Sequence, residues 1–382
     1  MDVSKFVAPE IIFGPGALGQ VGESVLRRRA ERLFLVTDVG VTQAGWVDRA
    51  IPYLDEQGLP WVLWKGATPN PKDLEVEQGA REYISANCDA ILAIGGGSVI
   101  DAAKAIAVLV TNGGRIHDYE GIGKITRPLP PMVMVPTTAG SGADVSQFAI
   151  ITDTTRRVKM VLGSKSLIPD ISITDPLLLT TKDPALTAAT GMDALTHAVE
   201  AYVSIAATPL TDVFALSAIR LVAKELRASV ASRGNLEAKR GMAMASLQAG
   251  AAFSNAILGA THAMAHQLGG MLDLPHGVVD AILLPQVMEF NLISSVGRYA
   301  DIAAALGEST ANLSQPEAAN RAIKAVRDLA RDIGIPSGLA AVGVDEADIP
   351  ALSENSMHDV CLATNPRDTG VSDIAELFRR SL

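Results

Sequence analysis

The 382-residue sequence has only two cysteines, Cys88 and Cys361, far apart and in no C-x-x-C pair. Neither a disulfide framework nor a thiolate metal site is signalled, and a reducing compartment fits best. Basic residues are in deficit: 32 Lys and Arg stand against 42 Asp and Glu, a net charge of -10 that repels phosphate backbones and anionic lipid. We therefore expect no nucleic acid and no membrane as partner. The start, MDVSKFVAPEIIFGPG, lacks a cationic segment leading into a long apolar run, so no export or transit signal is read there and a cytoplasmic location is expected. Unbroken apolar runs of membrane length are also missing. The nearest candidate, Met242 to Met271, is interrupted by Ser246, Gln248, Ser254, Asn255, His262, His266 and Gln267, and its small residues suit buried helices.

What is present points to two domains, the usual division for a chain of this length that is 48% hydrophobic. Up to about residue 180, short apolar runs alternate with turns and longer mixed segments, as in βαβ units around a parallel sheet. The runs are Leu33 to Thr37, Trp61 to Leu63, Ala90 to Ile94, Met132 to Val135, Phe148 to Thr152 and Ile171 to Thr174. Beyond Asp183 helical periodicity takes over, in Thr187 to Ser204, Leu210 to Val230, Glu237 to Phe253 and Pro316 to Asp332. The expected division is an α/β domain over residues 1–182 and an all-helical domain over residues 183–382, with the boundary in the turns between Asp175-Pro176 and Asp183-Pro184.

Two glycine clusters compete for a phosphate-binding role. Gly14, Gly16 and Gly19 match G-x-G-x-x-G, but Pro15 sits inside the match and the run before it, Glu10 to Phe13, is short, so a structural turn is the better reading. Gly95, Gly96, Gly97 and Ser98 directly follow the apolar run Ala90 to Ile94 and precede a helix-like stretch. There the backbone can approach a pyrophosphate at a helix N-terminus. Asp101 and Lys104 follow on that helix, where they orient the loop or neighbouring phosphates, or else form a solvated or capping pair. A second strand-end loop, Pro136 to Gly142, offers the hydroxyls of Thr137, Thr138 and Ser141. Asp38 ends the run Leu33 to Thr37, where a carboxylate accepts from an adenosine ribose and repels a 2′-phosphate; NAD is expected over NADP. The competing role for Asp38 is as a turn former ahead of Gly40.

Four of the six histidines, His197, His262, His266 and His276, fall within one stretch of the helical half. Asp193 and His197 are four residues apart, as are His262 and His266, so each pair projects from one helix face. Oxygen and imidazole donors without thiolate suit Fe(II) or Zn(II) in a catalytic site. His117 and His358 have no partner at metal spacing, and Glu200 reads as a carboxylate behind the ligands or at the surface.

The ordered motifs G-G-G-S with Asp101 and Lys104, P-T-T-A-G-S-G at Pro136 to Gly142, T-G-M-D-A-L-T-H at Thr190 to His197, T-H-A-M-A-H at Thr261 to His266, P-H-G at Pro275 to Gly277 and N-P-R at Asn365 to Arg367 together resemble the iron-containing, or group III, alcohol dehydrogenase family. The likeness spans nearly the whole chain. It implies a Rossmann-like dinucleotide-binding domain followed by an all-α metal domain, a dehydroquinate synthase-like fold with the active site in a cleft. It further implies Asp193, His197, His262 and His276 as metal ligands, His266 as a proton relay, Lys159 as a cofactor contact and Asp38 as the ribose acid. The activity implied is NAD-dependent interconversion of a small primary alcohol or diol and its aldehyde, with Fe2+ bound, or Zn2+ in its place, and a homodimer or larger assembly. Two alternatives remain at this point: a zinc-dependent glycerol or polyol dehydrogenase, and a metal-dependent lyase of the dehydroquinate synthase kind. Ala143-Asp144, where many members carry Glu, and Phe148, where some carry a polar residue, leave the substrate preference open.

Overall fold

The computed structural model describes residues 5–382. Two compact units separate, one of Val7–Thr181 and one of Lys182–Leu382 that also takes Lys5 and Phe6. Phe6 stacks on Phe214 with ring centroids 5.4 Å apart.

In the first unit the strands are β1 (Glu10–Phe13), β2 (Leu33–Val36), β3 (Trp61–Trp64), β4 (Ala90–Gly95), β5 (Gly121–Ile122), β6 (Met132–Pro136), β7 (Phe148–Asp153), β8 (Val158–Gly163) and β9 (Ile171–Thr174). Six form a parallel sheet in the order β1-β9-β6-β4-β2-β3. Its strands are apolar without alternation because both faces are covered. Phe34, Val36, Ile91, Ala93, Met132 and Met134 enter one core, and Leu33, Leu35, Leu92, Ile94, Val133 and Val135 enter the other.

One expectation needs correction. The run beginning at Phe148 is not a strand of the parallel sheet: β7 pairs antiparallel with β8, and β5 completes a separate three-stranded sheet. The link between β7 and β8 is too short for a parallel crossover. It turns tightly because Asp153 Oδ1 accepts from the N–H groups of Thr155 (2.8 Å) and Arg156 (2.9 Å), with Arg157 at φ 56°.

The second unit is helical throughout its described residues. Its long helices are Pro184–Val203, Pro209–Ala231, Leu236–Ala256, Ala260–Leu272, His276–Asn291 and Gln315–Asp332. The first starts at Pro184 because Asp183 caps it, accepting from Leu186 N–H at 2.8 Å, while the proline needs no partner for a missing N–H. At the start of Gln315–Asp332 the Glu317 carboxylate accepts from both Ser314 N–H (2.8 Å) and Ser314 Oγ (2.6 Å). The polar-interrupted stretch Met242 to Met271 forms parts of two buried helices. His276–Ser294 is long and apolar enough to cross a membrane, yet 67% of its apolar window is buried inside the structure.

Candidate active site

The site in the helical unit depends on how closely two helices approach. A Cβ at Gly277 would lie 2.1 Å from the carbonyl oxygen of Ala189 and 3.2 Å from Asp193 Cβ, so only glycine lets helix His276–Asn291 press onto helix Pro184–Val203. That contact sets His276 beside Asp193. The donor atoms of Asp193, His262, His276 and Asp280 all lie within 4.8 Å of one another. His197, the other ligand implied by the resemblance, stands outside this quartet: its Nδ1 is 3.4 Å from Asp193 Oδ1, and its ring stacks on Phe253 (4.4 Å) and on His262 (4.5 Å).

The ring of His262 is oriented from behind. Glu200 is buried and accepts from the N–H groups of Gly259 (3.1 Å) and Thr261 (2.7 Å), at the N-terminus of helix Ala260–Leu272, and it lies 2.7 Å from His262 Nδ1. Burial pushes the Glu200 carboxyl up, but His262 and Thr261 outweigh it and keep it below its ordinary value. An ionised carboxylate only accepts, so Nδ1 carries a proton and Nε2 faces the quartet. His262 Nε2 and Asp193 Oδ1 are both buried, 3.8 Å apart, and neither has a hydrogen-bond partner among the described residues. Burial lowers the proton affinity of His262, yet Asp280, Asp193 and Glu200 together raise it well above the ordinary histidine value. A pocket that draws a proton this strongly onto imidazole suits a divalent cation, and the nitrogen and oxygen donors match a first-row ion.

His266, one turn after His262, pairs through Nδ1 with Asp359 Oδ2 at 2.8 Å, and its ring stacks on His276 at 5.5 Å. Burial raises the Asp359 carboxyl, but His266 and the Cys361 N–H bring it below its usual range. Nδ1 therefore donates, which leaves Nε2 to exchange a proton. Asn365 of the N-P-R motif is structural here. Its Oδ1 accepts from Ala260 N–H at 3.2 Å, and Arg367 lies over Phe290 with its guanidinium 3.9 Å from the ring centroid.

In the first unit Gly95 ends β4 and Gly96 precedes helix Gly97–Asn112, so the glycines form the strand-to-helix turn. Gly97 packs directly on the neighbouring loop: a Cβ there would lie 2.7 Å from Ser141 Oγ. Thr138 lies close to Gly96 in the same way, at 3.2 Å from its would-be Cβ, whereas Thr137 is fully buried. Ser98 is half-buried on the first turn. Asp38 caps helix Val39–Gln43, its Oδ1 accepting from Val41 N–H at 2.7 Å, so one carboxylate oxygen serves the turn.

For Lys104 the phosphate-facing and solvated readings fail. It neither faces phosphates nor lies in solvent; it is fully buried and donates to Ser146 O (2.6 Å), Ser146 Oγ (3.3 Å) and Phe148 O (2.9 Å), pinning its helix to the start of β7. Asp101 is raised by burial against the pull of Lys104, the Ile150 N–H and Lys159. Asp144 is likewise internal, accepting from Ser172 Oγ at 2.6 Å.

Sequence reasoning missed Asp280 and Asp359, which lie one turn from His276 and far along the chain from His266, and it left Glu200 between two roles. The i, i+4 spacing of His276 and Asp280 was the available signal for the first. His117, which has no partner in local sequence, has two in space: its Nε2 is 3.2 Å from Asp73 and 3.5 Å from Asp153.

Residues 8–176 match the model of the iron-containing alcohol dehydrogenase family, and residues 187–382 match that of its C-terminal domain. The chain belongs to the iron-containing alcohol dehydrogenase family. Among its relatives, the 1,3-propanediol dehydrogenase of Citrobacter freundii is 46% identical, with 98% of each chain covered. The NAD-dependent methanol dehydrogenase of Bacillus methanolicus is 42% identical, with 99% of each covered. A crystal structure of a 1,3-propanediol oxidoreductase superposes with a TM-score of 0.97 at 46% identity over 100% of both chains. As a member of the iron-containing alcohol dehydrogenases, the chain is an NAD-dependent oxidoreductase that works with a divalent metal, on a parallel-sheet domain followed by a helical one.

Proposed function

We propose that the chain interconverts small primary alcohols or diols and their aldehydes, with the metal held by Asp193, His197, His262 and His276. The observation that carries this is the buried Nε2 of His262, aimed by Glu200 into a cluster of carboxylate and imidazole donors. The names of the relatives, a propanediol and a methanol dehydrogenase, support a small, unbranched substrate. A divalent ion held by these residues would supply Lewis acidity toward the alcohol or carbonyl oxygen, and bound NAD would supply the acceptor or donor of the hydride.

The protein's own residues do the remaining work. Asp359 fixes the tautomer of His266, whose Nε2 takes the hydroxyl proton during oxidation and returns it during reduction. Gly95, Gly96, Gly97 and Ser98 bring backbone N–H groups to the pyrophosphate, Thr138 and Ser141 border that turn, and Asp38 accepts from the adenosine ribose with its remaining oxygen. We assign Thr137, Asp101 and Lys159 to the cofactor side as well, Asp101 and Lys159 interacting with each other electrostatically. The acidic composition and two buried, unbridged cysteines support a cytoplasmic setting, and we assign a homodimer or larger assembly on the family likeness.

The test is NADH formation at alkaline pH from ethanol, 1-propanol, 1,3-propanediol, 1,2-propanediol and glycerol, using metal-stripped protein with Fe2+ or Zn2+ added back. Turnover of the primary alcohols restored by Fe2+ supports the reading. Activity confined to glycerol with Zn2+ replaces it with a polyol dehydrogenase, and no NADH from any alcohol with either ion overturns it.

A further inference from the structure

Asp280 lies outside the ligand set that the family resemblance implies, yet it is the most deeply buried acid of the cluster, with no exposed surface. It follows His276 by one helical turn, with Oδ2 3.3 Å from His276 Nε2, and its carboxylate is one of the four groups whose donor atoms lie within 4.8 Å of one another. Its helix neighbours Val279, Ala281, Leu283 and Leu284 are buried apolar residues, so the carboxylate faces the donor cluster rather than water.

The other acids nearby are balanced locally. Glu200 is held by the helix N-terminus and His262 Nδ1, and Asp359 by His266. Asp193 and Asp280 are the two carboxylates that share the space in front of His262 and His276. Together they set two carboxylates beside the ring nitrogens of His262 and His276, within reach of a single ion.

We propose that Asp280 is a further donor of the metal centre, so that the ion takes carboxylate oxygen from both Asp193 and Asp280. This rests on the metal reading given above and extends it to a residue with a distinct consequence: the second carboxylate tightens the site and hardens its donor set, toward Fe2+ and Mn2+ relative to softer ions.

The experiment measures affinity for Fe2+, Mn2+ and Zn2+ by competition with a chromophoric chelator, on metal-stripped protein and its Asp280→Asn variant. Asparagine keeps the shape and removes the charge. The expected result is at least a 10- to 100-fold loss of affinity, larger for Mn2+ and Fe2+ than for Zn2+. Thermal melts give a second readout. Asp280→Asn should raise the midpoint of the metal-free protein, by relieving two adjacent carboxylates, and lower that of the metal-loaded protein.

Affinities within twofold of the parent, or equal melting shifts with and without metal, overturn the role of Asp280 while leaving the centre intact. Failure of the parent to take up a divalent ion overturns the metal reading itself, and this proposal with it. If Asp280→Asn does not fold, Asp280→Ser, which leaves room for water, is read by the same criteria.

Discussion

Replacing Glu200 with Gln isolates the part of the site that orients a ligand without touching the ion. Oε1 of Glu200 accepts from Thr261 N–H at 2.7 Å, and Oε2 from Gly259 N–H at 3.1 Å and His262 Nδ1 at 2.7 Å. A glutamine amide must turn its NH2 toward one of these sides. In either orientation an N–H then meets a backbone N–H, and the less damaging one gives up the bond to Thr261. An unmet buried donor costs about 1–3 kcal/mol, and the surviving bond to His262 loses the charge assistance that roughly doubles such bonds.

Losing the partner behind a histidine ligand weakens metal binding about 10- to 100-fold, or roughly 1.4–2.7 kcal/mol. The assay is chelator competition for Fe2+ on metal-stripped Glu200→Gln, beside the melting midpoint of the metal-free protein. The reasoning predicts both a destabilised fold and a weakened site. It is refuted if affinity stays within about twofold of the parent while the fold is destabilised, since Glu200 would then serve only the helix N-terminus.

Other perturbations test other links. His266→Ala should lower turnover about 10²- to 10⁴-fold, the usual contribution of a positioned acid or base, with one metal ion per chain retained by elemental analysis; loss of the ion would make His266 a ligand instead. Gly97→Ala places a Cβ 2.7 Å from Ser141 Oγ; NAD binding, measured by fluorescence titration, should weaken about tenfold or more, and Ser141→Gly should restore part of it. Asp153 is raised by burial but drawn down more strongly by Arg156 and the N–H groups of Thr155 and Arg156, from 3.8 to about 2. A depressed carboxylate stabilises the fold above its unfolded pKa, and that contribution is lost as pH falls from 3.8 toward 2. Allowing for the half-exposed Arg156, it amounts to about 1–2 kcal/mol. Melts of Asp153→Asn should therefore be lower than the parent at pH 6 and converge with it near pH 2; parallel curves throughout would contradict the assignment.

The parallel sheet was legible because its strands are buried on both faces and read as unbroken apolar runs ended by glycine or proline, as at Ala90–Gly95 and Met132–Pro136. The helical unit was legible through its helical periodicity, as in Thr187 to Ser204 and Pro316 to Asp332, which correspond to helices Pro184–Val203 and Gln315–Asp332. What escaped was decided by partners distant in sequence. The strand β8 depends on a turn held by Asp153, and Lys104, on a helix that begins like a phosphate site, points instead to carbonyls more than forty residues ahead. At the metal cluster, histidine pairs at helical spacing marked His262, but the residues that aim the rings, Glu200 and Asp359, come from other elements, and only the folded chain brings them there.

The central claim is that the cluster of Asp193, His197, His262 and His276 holds the ion on which alcohol oxidation depends. Anomalous scattering at the iron edge from crystals of Fe2+-loaded protein measures this directly. The account predicts one strong peak among those side chains, lost together with NADH production when the ion is stripped. A peak elsewhere, for instance at the Asp73, His117 and Asp153 group, or full activity with no peak at that cluster, would contradict it.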